Sequence, residues 1–236
     1  MNDLKNRSVK IYEDKVEKYF DSKDWYTAEK DSYLNLEKFN NLPVLQDWNI
    51  VTPKVLKIDD DNKSILMTLL PGFNINEILR SKRKVDWFVI GASVASFHTK
   101  IFDLYNRDLA YGDMGFGNIL LCEDHNTVGF IDPGVDFLEE APCLQDLIIL
   151  LWVISTSRFK YLRMFFGAEK KLIDGYFLFK SSFIKDYDVE KSLNRSLKSV
   201  ECKLKPRMKK KGKIKYFLFV LFFFLFKLMC SRRLLK

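Results

Sequence analysis

Residues 111–134 read YGDMGFGNILLCEDHNTVGFIDPG. Two short apolar runs in this stretch predict buried strands, and Asp113, Asn118 and Asp132 fall in the loops beside them. Hard oxygen ligands of this kind bind Mg²⁺, and a separate carboxylate can accept the proton of an attacking hydroxyl. The stretch therefore predicts a metal–phosphate site. Composition and spacing alone leave it as one acidic cluster among several.

The residues that precede this stretch predict a small sheet with one inserted helix. The alternating pattern of 8–20 indicates a β-hairpin, and apolar runs at 55–58 and 64–70 indicate two further strands. Between them, Asp24 is predicted to cap a helix. The buried face of that helix is predicted to hold Trp25, Ala28, Ser32, Leu36 and Phe39.

The chain changes character after Pro71-Gly72, where helical periodicity dominates. Helices are predicted at 74–82, 86–102, 144–154, 161–179 and 183–200. The sequence therefore predicts an α+β fold of two lobes, a small β-rich lobe and a helical lobe, with a cleft between them. The predicted domains are the β-rich lobe at 1–71, the helical lobe with the candidate site at 72–202, and a basic, hydrophobic tail at 203–236.

The charge of the chain is concentrated in that tail. The net charge is +8, but residues 203–236 hold twelve Lys and Arg and no acidic residue, so the other 202 residues carry a net charge of −4. A nucleic-acid-binding domain usually spreads its basic surface over the fold, so no nucleic acid partner is expected. The four cysteines include no CxxC pair and the N-terminus has no apolar run, which together predict a cytoplasmic location.

The tail predicts contact with a membrane surface. Its apolar run, 216–226, would span roughly 16 Å as a helix, against about 30 Å for a hydrocarbon core, and basic residues flank it on both sides. We therefore expect residues 207–233 to lie on the anionic inner face of the membrane, as a peripheral contact. A buried terminal helix of the helical lobe and a spanning helix are the alternatives.

The motifs resemble a known family. Residues 111–120, YGDMGFGNIL, are similar to the catalytic loop of aminoglycoside-phosphotransferase-like and lipopolysaccharide-kinase-like enzymes, and 131–134, IDPG, is similar to their metal-binding segment. Ser96-Phe-His-Thr99 and Gln145-Asp146-Leu147 resemble further motifs in the same order. The resemblance covers roughly residues 8–180 and implies a protein-kinase-like fold that uses ATP and Mg²⁺.

The resemblance also implies a role for each matching residue. Asp113 would be the catalytic base. Asn118 and Asp132 would bind Mg²⁺. Lys18 would contact the ATP phosphates and pair with Glu29. The adenine would pack against Leu120 and Ile131, with backbone groups at 68–70, including Leu70, at its edge. Asp146 would support the catalytic loop, and His98 is expected to be structural.

The predicted reaction is transfer of phosphate to a hydroxyl of a non-protein acceptor, a small molecule or a sugar of lipopolysaccharide or another envelope glycan. The fourteen positions from Asp132 to Asp146 are too few for the peptide-docking segment of a protein kinase. A membrane-associated pseudokinase that binds nucleotide without transfer is the alternative. It is motivated by the missing glycine-rich loop, since Gly72 is the first glycine of the chain.

Overall fold

The structure is a computed structural model that describes residues 7–40, 49–106, 109–122, 127–133, 143–157, 167–179 and 189–234. Within these ranges the order of elements is β1 (Arg7–Ile11), β2 (Lys15–Phe20), α1 (Lys23–Asn40), β3 (Asn49–Val51), β4 (Val55–Asp59), β5 (Ser64–Thr68), β6 (Phe73–Asn74), α2 (Ile75–Arg80), α3 (Trp87–Tyr105), β7 (Ile119–Leu121), β8 (Thr127–Phe130), α4 (Leu144–Ser157), α5 (Ala168–Phe179), α6 (Val189–Lys210) and α7 (Lys213–Leu234). The fold is α+β, as predicted.

The described strands form two small sheets. The first has the order β1-β2-β5-β4 and is antiparallel throughout. The second has the order β3-β8-β7-β6, in which β3 and β8 are parallel and the other pairs are antiparallel. The predicted hairpin and the predicted strands around the candidate site are all present. Strand β3 precedes the predicted domain boundary at residue 71 yet pairs with β8, so the second sheet combines strands from both predicted domains.

Helix α1 differs from its prediction in where it begins and which face it buries. It begins at Lys23, so Asp24 lies inside the first turn, and the Ser22 hydroxyl before it accepts a hydrogen bond from the Trp25 N–H. Trp25 is exposed, and the buried stripe is offset from the predicted one. It consists of Tyr26, Glu29, Ser32, Tyr33 and Leu36. The spacing pattern started from Trp25 and missed Tyr26 and Tyr33, while Glu29 was predicted only as the partner of Lys18.

The helical part of the chain is built around α3 and α4, whose side chains are mostly buried. Asp86 caps α3, because its carboxylate accepts hydrogen bonds from the N–H groups of Phe88 and Val89. The helix predicted at 86–102 therefore begins where expected, to within one residue. Residues 161–166 and 183–188 of the predicted helices lie outside the described residues. The parts that are described are helical in α5 and α6.

Pro71-Gly72 brings the chain against the second sheet, where β6 then pairs with β7. Gly72 has a φ of +108°, and a Cβ at this position would lie 2.5 Å from the carbonyl oxygen of Leu121. The Cys122 thiol donates to the Pro71 carbonyl at 3.1 Å. The backbone therefore passes so close to β7 that only glycine fits at position 72.

The basic tail is helical and packs on the rest of the chain along one side. Helix α6 runs through residue 202 without a break, and α7 places Phe219, Phe223 and Phe226 against Trp152 of α4. Among the described residues, no helix combines the length and apolar character that a membrane span needs.

Candidate phosphate and metal site

A buried ammonium group joins three elements at the predicted site. Strand β2 carries Lys18, whose Nζ donates to Glu29 Oε2 at 3.1 Å and to the Tyr33 hydroxyl at 2.8 Å, both on α1. The same Nζ lies 2.6 Å from Asp132 Oδ1, just after β8. Lys18 and Glu29 are only 6% and 3% exposed, so this charge is compensated by ligands from the protein rather than by water.

Tyr33 belongs to this cluster, and the sequence interpretation did not include it. Its ring lies one helical turn after Glu29, and the Lys18 ammonium is 5.0 Å from the ring centroid. Burial raises the pKa of Tyr33 to about 12, with Asp132 and Glu29 acting in the same direction and Lys18 opposing them. The hydroxyl therefore stays neutral. The i, i+4 spacing of Glu29 and Tyr33 was the available signal.

Asp132 occupies an unusual backbone conformation. Its φ is +58°, in the left-handed region that aspartate tolerates better than most residues. The preceding Ile131 still donates its N–H to the Asn118 carbonyl at 3.0 Å, so the chain leaves the sheet at Asp132 itself. This turn directs the carboxylate toward Lys18.

The loop from Asp113 to Asn118 is held by its own hydrogen bonds. The Gly115 N–H donates to the Asp113 carbonyl at 2.8 Å, and the Asn118 N–H donates to the Gly115 carbonyl at 2.9 Å. The Asn118 side chain closes the loop, because its Nδ2 donates to the Asp113 carbonyl at 2.9 Å. The two predicted functional residues are therefore fixed relative to each other.

The charge of Asp132 acts on Asp113, although strands β7 and β8 lie between these two residues in the sequence. The Asp113 side chain is exposed to solvent, but nearby protein atoms still displace part of its hydration. This partial desolvation raises the pKa of Asp113, and the negative charge of Asp132 raises it further. Asn118 and, from α6, Arg207 act in the opposite direction. The charges of Asp132 and Arg207 therefore both act on Asp113, and the sequence interpretation did not connect Arg207 with the site.

Two of the residues predicted to contact adenine, Leu70 and Leu120, lie close together. A Cβ added at Gly129 would lie 3.2 Å from both Leu70 Cδ1 and Leu120 Cβ, so these two side chains meet over the glycine. Leu120 is buried, and Leu70 and Ile131 are half-buried.

The backbone at the predicted adenine edge is partly committed to protein contacts. The Thr68 and Leu69 N–H groups donate to the Lys54 and Asp14 carbonyls, both at 2.9 Å. Because these two N–H groups are already used, an N–H contact from residues 68–70 to adenine would come from Leu70.

A second buried charge holds the backbone in front of Asp113. Asp146, in the first turn of α4, accepts hydrogen bonds from the Tyr111 N–H and, at 3.0 Å, from the Gly112 N–H. Its Oδ2 also lies 2.9 Å from His98 Nε2. The His98 Nδ1 is 3.0 Å from the Tyr176 hydroxyl. The His98 and Asp146 side chains are thus buried and hydrogen-bonded to other protein groups.

The pKa of His98 is raised in this network. Burial of the ring opposes the charge, but Cys143 and Asp146 outweigh it and raise the pKa of His98 to about 9. A protonated imidazole donates from both nitrogens, so Asp146 and the Tyr176 oxygen are both acceptors. Tyr176 also contacts the Cys143 sulfur at 3.4 Å.

The described part of the chain contains no group of three or more His, Cys, Asp or Glu side chains arranged to bind a metal ion. The predicted Mg²⁺ site is of a different kind, because it consists of one carboxylate and one amide. The metal-binding and catalytic roles of Asn118, Asp132 and Asp113 stay predictions. Gly134, the last residue of the predicted metal-binding segment, lies outside the described residues.

Comparison with known proteins gives distant likenesses. No protein-family model and no curated protein matches the chain. A structure described as the bifunctional kinase-methyltransferase WbdD matches with 15% identity and a TM-score of 0.47, over 74% of this chain and 43% of that one. Monomeric WbdD matches with 15% identity and a TM-score of 0.46 over 71% and 44%, and WbdD with the kinase inhibitor LY294002 with 17% and 0.44 over 72% and 43%. The chain spans less than half the length of these structures.

We predict that Lys18→Met lowers the free energy of unfolding by about 3–5 kcal/mol, because it leaves two carboxylates without their shared cation. Glu29→Gln in the same chain should restore part of that loss. Lys15→Met is the control, since the Lys15 side chain on the same strand is 45% exposed, and it should change the free energy by less than about 0.5 kcal/mol. Denaturant unfolding measures all three. Equal effects of Lys18→Met and Lys15→Met would contradict the buried cluster.

We predict that His98 stabilises the fold in a pH-dependent way. Its folded pKa of about 9 lies above the ordinary 6.5, so its contribution is complete below about pH 6.5 and is lost as the pH rises through about 9. The difference in unfolding free energy between the wild type and His98→Gln should therefore shrink by about 1 kcal/mol or more from pH 6 to pH 9. An NMR titration of the wild-type ring should find it protonated at pH 8. A constant difference, or a neutral ring at that pH, would contradict the assignment.

Proposed function

We propose that this chain is an ATP- and Mg²⁺-dependent phosphotransferase that acts on a hydroxyl of a non-protein acceptor. The observation that carries the proposal is the 2.6 Å contact between Lys18 and Asp132, which brings a phosphate-binding cation to the candidate metal ligand. Asp113 and Asn118 lie in the same electrostatic environment. Phosphoryl transfer depends mainly on positioning and charge neutralisation, so a set of this size can suffice.

Asp113 acts as the base in this proposal. It accepts the proton of the acceptor hydroxyl, whose oxygen then forms a bond to the γ-phosphorus while the bond to ADP breaks. Two observations support the role. The carboxylate is exposed, so an acceptor can reach it, and its raised pKa makes it a stronger base than an ordinary aspartate. The backbone in front of it is held by Asp146, which limits its movement.

Asn118 and Asp132 fit the chemistry of a magnesium site. Mg²⁺ prefers oxygen ligands and commonly takes one or two carboxylates together with phosphate oxygens and water. The Asn118 Nδ2 is the atom that donates to Asp113, so Oδ1 is the atom that would ligate the ion. Bound Mg²⁺ would neutralise phosphate charge during transfer. Lys18 would then contact the phosphates while it keeps its bond to Glu29.

The nucleotide base binds against the apolar surface formed by Leu70, Leu120 and Ile131. The close approach of Leu70 and Leu120 over Gly129 supports this, since adjacent apolar side chains suit packing against a purine ring. A backbone N–H at Leu70 would bind the adenine edge. Residues 1–71 contain no glycine, and Lys18 and Mg²⁺ are the phosphate contacts in this proposal.

The acceptor in this proposal is a sugar of lipopolysaccharide or of another envelope glycan or glycolipid, on the cytoplasmic side. Two sequence features support it: the resemblance of 111–120 to lipopolysaccharide-kinase-like catalytic loops, and the fourteen positions from Asp132 to Asp146. A segment that short leaves little chain for docking a peptide.

We predict that Asp113→Asn lowers phosphate transfer at least about a hundredfold while nucleotide binding persists. The assay follows radiolabelled phosphate from Mg-ATP to lipopolysaccharide core and measures ATP binding in parallel. Asp103→Asn, an exposed aspartate on α3, is the matched control and should behave as the wild type. ATP binding without any transfer by the wild type would favour the pseudokinase alternative. Transfer that survives in Asp113→Asn would overturn the assignment of the base.

A further inference from the structure

Helix α7 has two apolar faces, and the described part of the chain covers only one of them. Its inner face packs around Trp152, with ring centroids 5.1–5.7 Å from Phe219, Phe222, Phe223 and Phe226. The outer face is 46–68% exposed and consists of Phe217, Leu218, Val220, Leu221, Phe224, Leu225 and Leu228.

The exposed residues form one continuous stripe. Positions 217, 221, 224 and 228 follow the three- and four-residue spacing of a helix, so they lie above one another on the same side. Scattered exposed apolar side chains are ordinary on a protein surface, but a contiguous stripe of large ones marks a binding surface. The outer face therefore needs an explanation that the packing of the chain does not provide.

The charges at the ends of the stripe identify the kind of partner. Lys209, Lys210, Lys211, Lys213 and Lys215 are exposed at its beginning, and Arg232 and Arg233 at its end. Residues 203–236 contain no acidic residue. A second copy of this chain would bring like charges together in either orientation, whereas an anionic surface neutralises both ends.

A groove at the end of the stripe has the chemistry of a lipid site. It has a volume of about 370 Å³ and is lined by Leu225, Leu228, Met229, Arg232 and Arg233. The three apolar side chains suit an acyl chain, and the two guanidinium groups suit a phosphate. This combination fits a phospholipid better than a protein surface.

The geometry favours a helix that lies flat. The stripe from Phe217 to Leu228 is roughly 18 Å long, well short of the roughly 30 Å hydrocarbon core of a bilayer. The opposite face is occupied by protein, through Trp152 and through the Lys227 contact with Glu201 of α6. A helix with one side docked and basic residues at both ends is of the interfacial type.

We propose that the outer face of α7 docks the chain on an anionic phospholipid bilayer, with the helix parallel to the membrane surface. This docking does not depend on phosphoryl transfer.

The test is flotation of the full chain with vesicles of equal parts phosphatidylglycerol and phosphatidylcholine, beside vesicles of phosphatidylcholine alone. We expect binding to the anionic vesicles only, and its loss at high salt. Each basic residue at an anionic surface strengthens binding by about fivefold, so changing Lys209, Lys210, Lys211 and Lys213 to Gln should weaken it at least about a hundredfold. Changing Lys23, Lys54, Lys84 and Lys171 to Gln removes the same charge elsewhere and should weaken it far less.

A second pair of matched variants tests the apolar stripe. Phe217→Ser with Leu221→Ser and Phe224→Ser should abolish flotation, whereas Ile11→Ser with Leu56→Ser and Leu178→Ser, equally exposed elsewhere, should not. Asp113→Asn should float as the wild type does, which separates this test from the transfer assay. Equal binding to neutral vesicles, flotation that survives the stripe variant, or a dimer in sedimentation that the stripe variant dissociates would each overturn the proposal.

Discussion

The architecture around the site depends on the contacts that the Lys18 ammonium group makes. This group bonds to Glu29 and Tyr33 of α1 and to Asp132 after β8, so one buried cation connects the first sheet, a helix and the second sheet. A buried ammonium is stable only while its carboxylate partners are in place. In the proposed function, the atoms that hold these elements together are also those that bind phosphate and metal, so stability and activity depend on one arrangement.

A second buried charge positions the other half of the site. Asp146 holds the N–H groups of Tyr111 and Gly112, and His98 supports Asp146 from α3. The loop after Gly112 is braced by the Asn118 side chain. Hydrogen bonds therefore hold the backbone on both sides of Asp113, while its carboxylate stays exposed. Such an arrangement is what catalysis by positioning requires, because little movement is needed at the moment of transfer.

Local patterns predicted the elements, and long-range contacts set the limits of that prediction. The strands beside Asp113 and Asp132, the hairpin and the beginning of α3 next to Asp86 follow from residue spacing. The pairing of β3 with β8 joins residues about eighty positions apart, which periodicity does not encode. Tyr33 was missed because the helical spacing was followed from Trp25 through Ala28, Ser32 and Leu36, a set that does not include it. An all-apolar run also could not reveal that Trp152 covers only one face of α7.

The most direct test of the central claim is a calorimetric titration of ATP with and without Mg²⁺. If Asn118 and Asp132 share a magnesium ion with the phosphates, Mg²⁺ should strengthen ATP binding at least about tenfold in the wild type. That gain should vanish in Asn118→Ala and in Asp132→Asn, and persist in Asp103→Asn. ATP binding that is indifferent to Mg²⁺, or a gain from Mg²⁺ that survives both site variants, would contradict the account.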